Sequence, residues 1–218
     1  MLKPGQKLRL VELSSRMGVS QAVLREALTR LGGQGLVVAS PQRGFRVCQL
    51  SIDDVVSLTE ARVSIETMAL RLAIERGDIG WETGILTAYH ILDNTPVTNA
   101  DGTVNGTLSI VHRDFHRSLL AGCGNSRIEA IANSLRDGAE LYRRWYWVLT
   151  ADHHHNVAAD HLQLKELVLA REVEAAVELL ASHIELAPKQ LIAHAREHGE
   201  ANLHTAAPAQ SPVELIER

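Results

Sequence analysis

The stretch GVSQAVLREALTRLGGQGLVVASPQRGFRV, which begins at Gly18, admits few folds. Gly18 breaks a helical segment that runs from about Arg9 to Met17, and Ser20 offers a side-chain oxygen to cap the next helix. In that helix Leu24, Ala27, Leu28 and Leu31 recur at i, i+3, i+4 and i+7, which makes one buried face. Gln21, Arg25 and Thr29 fall on the opposite face, and Gly32, Gly33 and Gly35 end the helix. Two short strands, LVVAS and FRV, then flank PQRG as a hairpin or wing. Two helices around a tight glycine turn, the second with an outward polar stripe, spell a helix-turn-helix.

The chemistry of that stripe suits DNA. Arg25 has the donors for a bidentate pair with guanine, and Gln21 can pair with adenine in the major groove. Ser20 and Thr29 are placed to hold phosphates, and Arg43, beside Gly44, to reach a backbone or minor groove. Singly, Arg25 and Arg30 read as ordinary solvated helix charges. Charge distribution tips the balance. Residues 1–50 hold eight basic and two acidic side chains, a net +6, whereas the remainder holds fourteen and twenty-four, a net −10. The overall charge of −4 hides this division between a basic module and a larger acidic one. A basic module favours polyanions, because each neutralised phosphate releases counterions.

This segment resembles the winged helix-turn-helix of GntR-type bacterial regulators. The resemblance rests on Arg9, Gly18, Val19, Ser20, Arg25, Glu26, Ala27, Leu28, Leu31, Gly35, Leu36, Gly44 and Val47. It implies that Arg9, Arg25 and the wing glycine Gly44 lie at the DNA. Gln21 stands where the family usually has arginine, which should alter or weaken base readout, and Leu10 where glutamate is common. The family also has a helix before the point where LKPGQKL begins, so an N-terminally shortened module is expected.

From Ser51 onward the pattern changes to long helices. SIDDVVSLTEARVSIETMALRLAIERGD places Val55, Leu58, Ile65, Ala69 and Leu72 on one face, with Ser51 as cap. Arg62 lies on that stripe, four residues before Glu66. The pair reads either as an i, i+4 ion pair or as an arginine turned toward a ligand carboxylate. DNTPVTNADGTVNG is a long loop, helices resume near Leu108, and the tail ANLHTAAPAQSPVELIER reads as flexible. No strand pattern follows Val47. The expected fold is mainly α: a winged helix-turn-helix over 1–50, an all-α antiparallel bundle over 51–200 and a tail over 201–218.

Eleven histidines need sorting. His112 and His116, in VHRDFHRSLL, stand one helical turn apart on one face. His194 and His198 repeat the spacing near the C-terminal end, so spacing alone is weak, and His153, His154 and His155 form a run in a polar connection. His90 and His204 have no evident partner, while His161 and His183 border apolar-periodic stretches.

This acidic segment resembles the FadR-type C-terminal domain that follows the winged helix in one GntR subfamily. Arg62 and Glu66 match its R-x-x-x-E, HRDFHRSLLAGCGN matches its D-x-x-x-H with His112 at the aspartate position, and His161 and His183 match two later histidines. The resemblance implies a divalent metal on His112, His116, His161 and His183, with a small organic acid completing its coordination. An aspartate replaced by His112 removes a hard oxygen, so four imidazoles should favour Zn²⁺, with Ni²⁺ or Cu²⁺ behind it. LYRRWYWVLT borders the effector cavity of the resembled domain, which makes Tyr142, Arg143 and Trp145 pocket candidates beside Arg62. Arg143 suits a carboxylate.

The helical zinc-protease motif puts glutamate directly after its first histidine, but Arg113 stands there and cannot accept a proton. No nucleophile–base pair or phosphate-binding glycine loop stands out. The expectation is a homodimeric regulator, a repressor of a palindromic operator, rather than an enzyme. A metal-dependent enzyme acting on a small carboxylate and a metal-free sensor are the rivals. No apolar run approaches the ~20 residues of a membrane helix, and MLKPGQKLRL is no signal peptide. With Cys48 and Cys123 in no zinc-like spacing, a reducing cytoplasm is the simplest compartment, though one bridge between them stays open.

Overall fold

The computed structural model describes residues 5–33, 36–40, 44–49, 51–100, 105–150 and 157–197. Arg43, Gly35, the run His153–His155, His198, His204 and the expected tail fall outside them. The chain divides into two compact units, Met1–Val56 with Ile192–Arg218, and Ser57–Leu191. Among the described residues, no helix is long and apolar enough to cross a membrane.

In the first unit, strand β1 (Lys7–Leu8) leads into helix α1 (Leu10–Met17). Gly18 ends α1 at φ 66°, a left-handed turn that costs glycine little, and its N–H bonds the carbonyls of Ser14 and Ser15. Helix α2 (Gln21–Gly33) starts on Ser20, whose Oγ accepts from the Val23 N–H at 3.3 Å. Strands β2 (Val37–Ser40) and β3 (Gly44–Val47) complete an antiparallel sheet of order β1-β3-β2. Leu8 pairs with Phe45, and Val37 with Val47, and these four side chains are the buried ones of the sheet. Strand β1 was not readable in sequence, because two residues carry no periodicity.

The expected buried face of α2 holds at Leu24 and Leu28, while Leu31 is half-buried and Ala27 is exposed. Val11, Met17, Val19 and Val23 are exposed as well. So small a unit has too little interior to enclose every apolar position on its two helices.

The second unit is built from long helices: α3 (Ile52–Arg76), α4 (Ile79–Asp93), α5 (Gly106–Leu120), α6 (Ser126–Thr150), α7 (Val157–Leu169) and α8 (Val173–Glu197). Side-chain caps set the starts. Ser51 Oγ accepts from Asp54 N, Asp78 Oδ1 from Trp81 N, and Asn105 Oδ1 from Thr107 N. Asn125 Oδ1 accepts from Arg127 N and Ile128 N where α6 begins. Helix α4 packs on α5 and α7 around a core that includes Leu70, Ile85, Phe115, Leu119, Leu164 and Leu180. Each such fully buried side chain contributes roughly 1.5–3 kcal/mol.

Trp81 locks the near end of the bundle. Its Nε1–H donates to the Ser118 carbonyl at 2.9 Å. A Cβ on Gly77 would stand 2.1 Å from the Trp81 ring, so only glycine fits there. Arg171, at a left-handed φ of 61°, lays its guanidinium over the same ring and bonds the carbonyls of Ile74 and Gly77 and the Glu82 carboxylate. The last carbonyls of α3 thereby gain a cation, which suits a helix C-terminus.

The buried stripe of α3 departs from expectation. Val55 and Ala69 are buried as expected, but Leu58, Ile65 and Leu72 are only half-buried, and Glu66, Leu70, Ala73 and Ile74 are buried instead. Apolar periodicity missed the shift because Glu66, a carboxylate, occupies a core position. Cys48 and Cys123 are both free thiols.

Candidate metal centre and nucleic-acid interface

Helix α5 presents His112 and His116 one turn apart, with ring centroids 4.6 Å from each other. Helix α7 brings His161 and helix α8 brings His183 to the same place. One ring nitrogen from each of the four lies within 4.8 Å of all the others. His116 Nε2 and His161 Nε2 stand 3.3 Å apart. The structure therefore gathers the four histidines singled out in the sequence. His90, with its imidazole beside Asn94, and His194 lie apart from them.

The imidazoles fit a divalent metal. Ligation needs neutral rings, and burial lowers the pKa of all four. His112 and His116 are pushed well below the ordinary histidine value, by burial first and then by neighbouring cations and rings. Burial and the nearby His183 bring His161 down to about 3, against the opposing charge of Asp160. Burial also lowers His183, although the hydrogen bond and charge of Asp160 pull the other way. At Zn–N distances of about 2.0–2.1 Å neighbouring ligand nitrogens stand about 3.0–3.4 Å apart, the shorter value in an expanded shell with room for a further ligand and the longer in a closed tetrahedron. The 3.3 Å contact of His116 and His161 already lies in that range. The widest separation, 4.8 Å, has to close by about 1.4 Å to match the longer value. His183 Nδ1 lies 3.1 Å from Asp160 Oδ2, the carboxylate partner that orients a ligating imidazole. His116 Nδ1 is buried without a partner among the described residues.

Three arginines act on the cluster through their charge: Arg62, Arg136 and Arg143 each lower the pKa of at least one of the four imidazoles. Arg62 Nε donates to Glu66 Oε1 at 2.7 Å, and Arg136 Nη2 donates to Glu66 Oε2. Glu66 is fully buried, so Arg62 and Glu66 form an ion pair inside the core, shared with a second arginine, and Arg62 engages in it through Nε. Burial lowers the Arg62 guanidinium to about 10, with Glu140 opposing. Burial and the charge of Arg62 lower Arg136 further. Arg143 grips Glu140 through Nε and Nη2 at 2.8 and 2.9 Å, and Nη2 also donates to Ser109 Oγ at 2.8 Å. Burial alone would raise the Glu140 pKa, but the bonds and charges of Arg143 and Arg144 hold it below the usual value. Tyr142 and Trp145 are buried edge to face, centroids 5.6 Å apart.

Sequence reasoning missed Arg136 and Asp160. Arg136 lies one turn after the buried Ala132 on α6, so a cation on an apolar stripe was the available signal. Asp160 gave none, since its partner His183 sits on a different helix.

In the winged unit Gln21, Arg25 and Thr29 are exposed together on α2. The Arg25 guanidinium lies 6.0 Å from the Phe45 ring centroid. Thr29 Oγ1 donates to the Arg25 carbonyl at 2.9 Å, and the Ser20 hydroxyl caps α2, so both hydroxyls also serve the helix itself. Arg9 pairs with Glu12 at 2.8 Å in solvent, and Gly44 opens β3 at φ 81°.

The architecture is that of a winged helix-turn-helix followed by an all-α bundle, the build of a DNA-binding regulator. The family description "Bacterial regulatory proteins, gntR family" matches residues 1–47, and "FCD domain" matches residues 57–186. The chain belongs to the GntR family of transcriptional regulators and carries an FCD effector-binding domain. It is 36% identical over 190 residues to the "Uncharacterized HTH-type transcriptional regulator BphR" of Paraburkholderia xenovorans, covering 84% of this chain and 76% of that one. It is 32% identical over 197 residues to the "HTH-type transcriptional repressor GlaR" of Escherichia coli, covering 88% and 89%. Among solved structures, a GntR family regulator from Pseudomonas syringae aligns at TM-score 0.57 and 27% identity, covering 91% of this chain and 81% of that one. E. coli McbR/YncC aligns at TM-score 0.72 and 18% identity, covering 90% of each chain, a likeness of fold.

Proposed function

We propose that this chain is a repressor whose operator affinity is set by a small organic acid held at a metal in the helical domain. Residues 1–50 serve as the DNA reader and 51–200 as the receptor and dimerisation domain. The observation that carries the reading is the convergence of His112, His116, His161 and His183 within 4.8 Å. Zn²⁺ is the first choice of ion and Ni²⁺ the second, because four neutral imidazoles suit borderline metals. Bound there, the metal supplies a Lewis-acidic anchor for a carboxylate. Arg62 and Arg143 add cationic surroundings, and the family resemblance makes Tyr142 a further effector contact. Regulation rather than catalysis is favoured by the relatives, which are named as transcriptional regulators, and by Arg113 after His112, where a helical zinc protease carries its glutamate base.

On DNA, Arg25 and Gln21 read base edges, while Arg9, Ser20, Thr29, Arg43 and Gly44 hold the backbone and wing. A homodimer would present two such readers to a palindromic site about one turn apart. The name of the E. coli relative, a transcriptional repressor, supports the sign of the effect. An effector that prefers one dimer arrangement by ~3 kcal/mol shifts operator binding more than a hundredfold.

Elemental analysis of protein purified without affinity tag or chelator tests the receptor half. About one divalent ion per chain is expected, and a content near zero defeats the site. For the reader half, Arg25→Ala should lower operator affinity roughly ten- to hundredfold and relax selectivity. Unchanged selectivity in a binding-site selection would refute the assignment of α2.

A further inference from the structure

We propose that the receptor domain is built for a dianion, a small dicarboxylate, one carboxylate of which is held by the guanidinium pair Arg62 and Arg136. The inference rests on the proposed metal site for the position of the other carboxylate. Its own footing is a donor and charge imbalance at the arginines whose charge acts on the imidazoles.

Two buried guanidiniums share one carboxylate, Glu66. Arg62 uses Nε and Arg136 uses Nη2, and among the described residues neither makes a further hydrogen bond. Each guanidinium carries five N–H donors. The Arg136 side chain is only 8% exposed, and its Nε is buried without an acceptor. A buried donor left unsatisfied is costly, and a buried charge without a counter-ion more so. Arg62, Arg136 and Glu66 together leave a net charge of +1. Four neutral imidazoles and a divalent metal add +2, and Asp160 beside His183 returns −1. Arg143 and Glu140 cancel each other, and Arg144 is half exposed to solvent. The buried total is then +2. A monocarboxylate leaves +1 in a poorly solvated place, whereas a dicarboxylate brings the total to zero. A planar carboxylate also matches the guanidinium fork, which a hydroxyl or amide oxygen does only in part.

The test compares isosteres of unlike charge. Metal-loaded, full-length protein is titrated by calorimetry with the linear dicarboxylates malonate to adipate and with the monoamide of each. At least one dicarboxylate is expected to bind roughly ten- to hundredfold more tightly than its own monoamide, the scale of one charge-assisted hydrogen bond. Arg136→Gln should reduce that ratio toward unity while metal content per chain stays unchanged, with Arg136→Lys as the variant that retains the charge but loses the fork. Equal affinity for diacid and monoamide in the unaltered protein, or no binding of any diacid, overturns the proposal without recourse to a variant. Metal content is read separately on the same sample. A metal content near zero would defeat the metal site and with it the charge count behind this inference, whereas one ion per chain without a diacid preference would overturn this inference alone.

Discussion

Removing the ion should loosen the helical domain by a measurable amount. The four imidazoles come from α5, α7 and α8, so a bound metal ties together three helices that otherwise meet through apolar packing. An ion that binds only the folded form adds about 4 kcal/mol when its free concentration is a thousandfold above its Kd. The unit Ser57–Leu191 sets the conversion to temperature. A domain of that size shifts by roughly 4 °C per kcal/mol. Chelator-stripped protein titrated with Zn²⁺ should therefore show a rise of roughly 16 °C in the unfolding of this unit. His116 is nearly inaccessible, at 2% exposure, so His116→Ala lowers the starting stability by cavity formation as well. The informative quantity is thus the rise caused by metal, not the baseline. Calorimetry of both proteins, with and without Zn²⁺, gives it directly. A rise in His116→Ala equal to that of the unaltered protein would refute the argument, as would a rise below roughly 2 °C in the unaltered protein.

Three further outcomes follow from the same contacts. Asp160→Asn keeps the side-chain shape but removes the charge that orients His183, and should weaken metal binding roughly ten- to hundredfold in competition with a coloured chelator. Glu66→Gln strips the one carboxylate between Arg62 and Arg136, and should cost about 3–5 kcal/mol in urea unfolding. A cost under roughly 1 kcal/mol would mean that the two arginines are solvated rather than buried. Gly77→Ala drives a Cβ into the Trp81 ring, and should destabilise the receptor unit by about 1–3 kcal/mol without altering its metal content.

What the sequence disclosed and what it hid divide along a physical line. Ser20 as a cap, Gly18 as a left-handed stop and the exposed Gln21–Arg25–Thr29 face are local, and local chemistry is written in consecutive residues. The pair His112 and His116 was legible for the same reason. His161 and His183 were suggested by family resemblance and not by spacing, since nothing in the intervening chain says that α7 and α8 will lie beside α5. Arg136 and Asp160 stayed hidden because their partners, Glu66 and His183, arrive from other helices. The stripe of α3 was misplaced by a residue or so for a related reason: a carboxylate at a core position looks like solvent-facing surface until its two arginines are found. Strand β1 was too short to show, and the exposure of Ala27 depends on how much interior the small unit has to offer.

The histidine at position 112 gives this receptor its particular character. In the resembled domain an aspartate at that place would bring a negative charge to the ion before any effector arrives. His112 brings none, and it sits near Arg143 and Arg62, whose charges act in the same direction as that of a metal. A metal-loaded cluster would therefore be short of negative charge, and among the described residues Asp160 is the carboxylate that bonds directly to a member of it. Attraction in a buried place is screened far less than at the surface. The free energy an anion gains on entering is correspondingly large, and a helical domain can spend it on a change of arrangement. Under the proposed function, a metal held by four neutral imidazoles would depend on its anionic ligand for electrostatic completion. His112→Asp should accordingly tighten metal binding while weakening the response to a carboxylate, and an equal or stronger carboxylate response in that variant would show that the imidazole has no such role.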